Sequence, residues 1–247
     1  SLTVGRGGSL IASNAAFGES TLAANTSGAY NTAMGNLAMS NSTSTDNNVA
    51  IGYSSLYSKT TGGNNTSIGA NAQYYSTTGY SNTSLGSSSL YKNTIGTDNI
   101  AIGAQSLYNL NHATDATKVA RNISMGNLSL NSMVTGVDNV GIGFDAGYLI
   151  TSGDNNVMIG RHAGGGDNSL NQITNLSNSV MLGFNTMPAA SGETNETVIG
   201  YGAVGLGSNT TVLGNADVTD TRINGKVNIP NATTASSTTY AALTVSG

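Results

Sequence analysis

The sequence holds no cysteine, which excludes a disulfide framework, thiol chemistry and a thiolate metal site together. It is also poor in charge. Lys, Arg, Asp and Glu make up 8% of its 247 residues, against about 25% in an ordinary soluble domain, so Ser, Thr, Asn and Gly must cover the surface. The eight Lys and Arg are scattered and the net charge is -4, which leaves no basic footprint for nucleic acid. No apolar run approaches the roughly 18 residues of a membrane-crossing helix. The N-terminus lacks the basic and apolar regions of a secretory signal; a role outside a cell implies an exporting part elsewhere, or release by lysis. Disorder would suit so polar a chain, but it normally accompanies high net charge and no apolar period.

A strict period is what this chain has. Asn48-Val49-Ala50-Ile51-Gly52 is an Asn, two variable residues, an aliphatic residue and a Gly. The pattern recurs as Asn14 to Gly18, Asn31 to Gly35, Asn65 to Gly69, Asn82 to Gly86, Asn99 to Gly103, Asn122 to Gly126, Asn139 to Gly143 and Asn156 to Gly160. Three looser copies end at Gly183, Gly200 and Gly214, with Ser179, Glu196 or Thr210 in place of the Asn. The glycines step by 17 residues five times, then by 23, 17, 17, 23, 17 and 14. A fixed short period marks a stack in which each unit contacts only its neighbours.

Within the motif the alternation predicts a strand, with the aliphatic residues three and one before the Gly facing inward and the small residue between them outward. A second apolar position recurs four residues after the Gly, as Leu22, Met39, Leu56, Leu90, Leu107 and Leu130, and predicts a second short strand. Polar turn formers follow, such as Thr60-Thr61-Gly62-Gly63 and Ser76-Thr77-Thr78-Gly79. Two strands and two turns in 17 residues give an all-β parallel β-solenoid, or β-roll, of about twelve short coils. At about 4.8 Å per coil it forms a rod of roughly 55 Å. Asn48, Asn65, Asn82 and Asn99 are expected to build an amide ladder. Gly52, Gly69, Gly86 and Gly103 are expected to supply positive φ or close backbone approach.

These repeats resemble the head repeat of trimeric autotransporter adhesins of the YadA type, a module that also occurs in bacteriophage tail fibres. The resemblance spans residues 14–216, although only the last step, Gly200 to Gly214, has the family's shortest length. It implies a left-handed parallel β-roll that assembles as a homotrimer. It also implies an adhesive role toward a host cell-surface glycan or outer-membrane component, on the virion tail fibre or, alternatively, on the bacterial cell surface. A polysaccharide depolymerase on a trimeric β scaffold is the enzymatic alternative.

Two features depart from the repeat in a way that suits binding. The two 23-residue steps add loops holding His112, Asp115, Lys118 and Arg121 in the first and Arg161, His162 and Asp167 in the second, and solenoid loops often carry the binding face. Drift in a tolerant turn is the plain alternative. Tyr57, Tyr74, Tyr91, Tyr108 and Tyr148 each stand five residues after a motif glycine and form either an exposed stripe for sugar rings or a structural stack. Searches for chemistry yield no convergent acid, base and pocket, so no enzyme, no catalytic residue, no metal and no cofactor is expected. Glu193 with Glu196 and Asp217 with Asp220 are close only in sequence. Asp46, Asp98, Asp138 and Asp154 precede motifs as turn formers.

The ends differ from the middle. Residues 1–13 read as a lead-in segment or degenerate first coil, and 14–216 as the repeat domain. Residues 217–230 read as a capping hairpin around Asn224-Gly225. Residues 231–247 read as a Thr/Ser-rich linker and the start of a further β module. Residues 218–247 contain no heptad for a coiled-coil stalk, which favours joining to other tail-fibre segments over an adhesin stalk.

Overall fold

The computed structural model describes residues 4–5, 11–111, 119–165 and 173–224. Two units are separable, residues 1–217 and 218–247. In the second, Val218 to Asn224 is exposed and carries no strand, and the remainder of the expected hairpin lies outside the described residues.

Among the described residues there is no helix. After β1 (Val4–Gly5), nine three-residue strands follow the motif: β2 (Ala15–Phe17), β3 (Thr32–Met34), β4 (Val49–Ile51), β5 (Thr66–Ile68), β6 (Thr83–Leu85), β7 (Ile100–Ile102), β8 (Ile123–Met125), β9 (Val140–Ile142) and β10 (Val157–Ile159). Then come β11 (Leu176–Ser177), β12 (Val180–Leu182), β13 (Glu193–Thr194), β14 (Thr197–Ile199) and β15 (Thr211–Leu213). β2 to β10, β12, β14 and β15 form one parallel sheet of twelve strands, in which Val49, Ala50 and Ile51 pair with Thr66, Ser67 and Ile68, and so on up the stack. The solenoid therefore makes about eleven turns. β1 pairs antiparallel with β2 and covers the first coil's edge. β11 and β13 form a second, two-stranded parallel sheet.

The Asn ladder runs through the rod. Asn48 Oδ1 accepts from the backbone N–H of Asn65 and from its Nδ2, both at 3.0 Å. The same backbone contact recurs at 2.9 to 3.0 Å from Asn14–Asn31 to Asn139–Asn156. All these asparagines are buried. Ser179 and Glu196 continue it by their backbone N–H, to Asn156 Oδ1 at 3.1 Å and Ser179 Oγ at 3.0 Å. The motif glycine serves both expected needs: Gly69 has φ 137°, and a methyl added there would stand 2.5 Å from the carbonyl oxygen of Gly86.

Two expectations are corrected. The strand faces are reversed: Ala33, Ala50, Ser67, Ser84, Ala101 and Ser124, at the middle of their strands, are buried, and the flanking aliphatic residues face outward. The second apolar position is buried as expected, but on a turn. Leu22, Leu56, Leu90, Leu107 and Leu130 are in left-handed backbone with φ 48° to 51°, and residues 52–58 form no strand. Their amides are paired nonetheless, each with the next coil, as in Leu56 N–H to Ala72 O at 3.0 Å and Leu90 N–H to Ser106 O at 3.0 Å. The left-handed conformation costs about 1–2 kcal/mol per residue, and a complete inter-coil ladder offsets it.

A narrow cross-section explains the reversal. The Leu on the turn crosses the coil and meets the middle of the strand, where only a small residue fits. A methyl on Gly141 would lie 2.7 Å from Leu130 Cγ. Where the strand instead offers a large residue, Met158, the turns opposite are Gly147 and Gly164, whose added methyls would come within 2.9 and 2.6 Å of its Sδ.

The buried apolar residues form two clusters, Ala16 to Leu56 and Leu90 to Ala203. The coil between them is polar inside. Ser67, Gln73 and Ser76 are fully buried, and so is Lys59. Lys59 Nζ donates to Ser76 Oγ at 3.2 Å and to the Gly79 carbonyl. Among the described residues no carboxylate pairs with it, and burial lowers its pKa from 10.5 to about 7.

Candidate functional site

Three rows of side chains run along the outside of the repeat domain. The first is the outer face of the large sheet. Its two outward positions per strand hold Val, Ile, Leu, Met, Thr, Ala and Phe, with no charged residue from Ala15 to Leu213. Met34, Leu85, Met125, Leu182 and Leu213 on it are exposed.

The second row is the tyrosine stripe. Tyr57, Tyr74, Tyr91 and Tyr108 stack on one another, with ring centres 4.9, 5.5 and 4.9 Å apart. Tyr75 stands edge-on to Tyr74 and Tyr91 at 4.8 and 5.2 Å. Partial desolvation, helped by the neighbouring phenols, raises the pKa of Tyr74 and Tyr91. From Tyr57 to Tyr108 the ring faces are turned to each other. Tyr148 stands apart from it, because the intervening coil has Asn131 at the same position.

The third row begins one residue after the motif glycine, where successive coils place Phe144, Arg161, Phe184 and Tyr201. The Arg161 Cζ lies 5.7 Å from the ring centres of both Phe144 and Phe184. Phe184 stacks on Tyr201 at 5.3 Å. Arg161 Nε donates to His162 Nε2 at 3.0 Å. The His162 ring stands edge-on to both phenylalanines at 5.8 and 6.2 Å. Nε2 accepts this bond, and Nδ1 faces Asp145 Oδ2 at 3.7 Å. Burial raises the Asp145 pKa, opposed by the positive fields of His162 and Arg161.

Of the proposed loop residues, Arg161 and His162 thus come together, and Arg121 does not join them. Arg121 forks onto Asp138, Nε at 2.6 Å and Nη2 at 2.5 Å, which raises the guanidinium pKa and lowers that of the carboxyl. His112, Asp115, Lys118 and Asp167 lie outside the described residues. Phe144, Phe184, Tyr201 and Asp145 were not expected in a site. Aligning the coils on the motif glycine, rather than reading the insertions alone, places the three aromatic residues in register with Arg161.

Of the carboxylates weighed for chemistry, Glu193, Glu196, Asp46 and Asp154 are engaged in the fold. Glu196 is buried, its Oε1 accepting from the Gly207 N–H at 2.9 Å and its Oε2 from the Ala189 N–H at 3.3 Å. Glu193 accepts from the N–H and hydroxyl of Ser208 at 2.6 and 2.5 Å. Asp46 and Asp154 each accept a backbone N–H of the preceding coil, at 2.7 and 2.8 Å. Asp217 is exposed; its backbone N–H donates to Asn215 Oδ1 at 3.1 Å, and its Oδ2 accepts from Asn215 Nδ2 at 3.3 Å. Among the described residues no three His, Asp or Glu side chains converge as a metal site, and no helix is long and apolar enough to cross a membrane. Comparison of the chain with family models, curated proteins and solved structures gives no match.

Proposed function

We propose that this chain is the rod of a homotrimeric, host-binding fibre, best read as a bacteriophage tail-fibre segment with a head repeat like that of the YadA-type adhesins. The observation that carries the reading is the uncharged, mostly apolar outer face that follows the repeat through all twelve strands of the sheet. Exposed apolar area on this scale marks an interaction surface. A partner for it must be as long, as apolar and of the same rise per coil. Further copies of this chain, side by side and in register, meet those conditions at every coil, and a closed ring of them leaves no open face. Burial there adds apolar area at about 25 cal/mol per Å² to coils whose own interior is narrow.

Light scattering at micromolar concentration is expected to give three times 24.8 kDa. Charging the outer face with Ile102→Asp and Ile142→Asp should yield monomers that keep their β content. A wild-type chain that is monomeric with full β content refutes the trimer.

A further inference from the structure

We propose that Arg161, held between Phe144 and Phe184, is a binding site for the carboxylate of an acidic sugar. The rings on the coils before and after lie on either side of the guanidinium, and Nε is committed to His162. The two terminal nitrogens take no hydrogen bond among the described residues, and Arg161 is exposed. Asp145, the acidic side chain facing the cluster, points its Oδ2 at His162 and makes no ion pair with Arg161. Among the described residues Arg161 therefore presents a fixed, unpaired fork of donors, the geometry that takes a planar carboxylate two-pronged.

The flanks narrow the ligand further. Phe144, Phe184 and Tyr201 are exposed at 44%, 39% and 72%, so an anion reaching Arg161 passes between apolar ring edges. A pyranose with a carboxylate offers C–H surface to those edges and its charge to the fork. Inorganic phosphate is tetrahedral, strongly hydrated and without apolar surface, and gains nothing from the rings. His162 acts as a positioning residue, fixing Arg161 by its Nε2 and packed edge-on against both phenylalanines.

This inference deepens the proposed adhesive role and rests on it for its biological meaning: a trimer carries the site three times, so weak contacts to a repeating acidic glycan gain avidity. The site itself is testable apart from assembly. The full chain is titrated calorimetrically at low salt with tetragalacturonate, with a neutral galactose tetramer and with inorganic phosphate, and the mass of each variant is read by light scattering. Tetragalacturonate is expected to bind, the neutral tetramer not to bind, and equimolar phosphate not to displace it. Arg161→Gln should weaken binding about tenfold or more and Phe184→Ala about threefold. Arg121→Gln, the same charge change elsewhere on the rod, should leave it unchanged.

Equal losses from Arg161→Gln and Arg121→Gln, equal binding of the neutral tetramer, or displacement by phosphate overturns the proposal. An Arg161→Gln chain that falls from trimer to monomer overturns it too, by making Arg161 an assembly contact. A wild-type monomer that binds tetragalacturonate sinks the trimer and leaves the site standing.

Discussion

Replacing Lys59 by Met isolates the energetic cost of the polar coil. Lys59 is fully buried with two uncharged acceptors, and its pKa falls from 10.5 to about 7. Between those values the unfolded chain binds a proton that the folded chain does not. Stability therefore rises with pH across that window and is level below it. At 1.36 kcal/mol per unit, the group withholds about 4 kcal/mol at pH 7 and returns about 3 kcal/mol of it by pH 9.5. Met removes the charge and leaves Ser76 Oγ without its partner, a loss of about 1 kcal/mol. The Gly79 carbonyl keeps a bond from Asn65 Nδ2 at 3.3 Å. Lys59→Met should then be more stable than wild type by about 2–3 kcal/mol at pH 7, with the advantage shrinking toward pH 9.5. Urea unfolding at several pH values up to 9.5 measures both slopes. Higher pH is avoided because the raised pKa values of Tyr74 and Tyr91 make stability fall there as the unfolded phenols ionise first. Parallel slopes for variant and wild type, or a less stable variant at every pH, would refute the reasoning.

The ladder and the stripe give two further tests. Asn65→Ala leaves the Asn82 backbone N–H, bonded to Asn65 Oδ1 at 3.0 Å, buried and unpaired, at a cost of about 1–3 kcal/mol. Gly69→Val should cost more, from its φ of 137° and the carbonyl 2.5 Å from the new Cβ; unchanged melting temperatures for both would remove the ladder account. Tyr91→Ala, which deletes the ring stacked on Tyr74 and Tyr108 and touching Tyr75, should destabilise by about 1 kcal/mol more than Tyr148→Ala. Equal melting temperatures would mean the stack adds nothing beyond buried area.

Much of the architecture was legible because the repeat is anchored on residues whose roles do not depend on context. An Asn and a Gly at fixed spacing predict a ladder and a close backbone approach in any stacked coil, and both are present from Asn14 to Asn156. The strand face was not legible, because alternation gives two faces and hydrophobicity alone assigns the larger residues inward. What decides it is Leu56 and its equivalents, on a left-handed turn that no apolar pattern announces. Lys59 was overlooked for a related reason. Its register position, seven after the glycine, is filled in other coils by Leu110, Met133 and Ile150, so a column reading places it inside, whereas its charge suggests outside. The cluster joins Phe144, Phe184 and Tyr201 to Arg161 from 17, 23 and 40 positions away in sequence and is legible only once the coils are aligned.

The reversed strand faces change what the aliphatic residues of the motif are for. If Val49 and Ile51 pointed inward, each coil would spend its largest apolar groups on its own core and the rod would have a polar exterior suited to a monomer. Instead, Leu56 and its equivalents fill the interior against Ala, Ser and Gly, and valines and isoleucines are displayed along an uncharged sheet. A coil built this way is narrow within and apolar outside, and the proposed contact between chains would supply the burial that its interior lacks. The same geometry sets where recognition can occur. In the proposed assembly the sheet face is covered, and the tyrosines stack on one another, so side chains with unspent polar capacity are needed elsewhere, and on the described surface Arg161, between its two rings, supplies it.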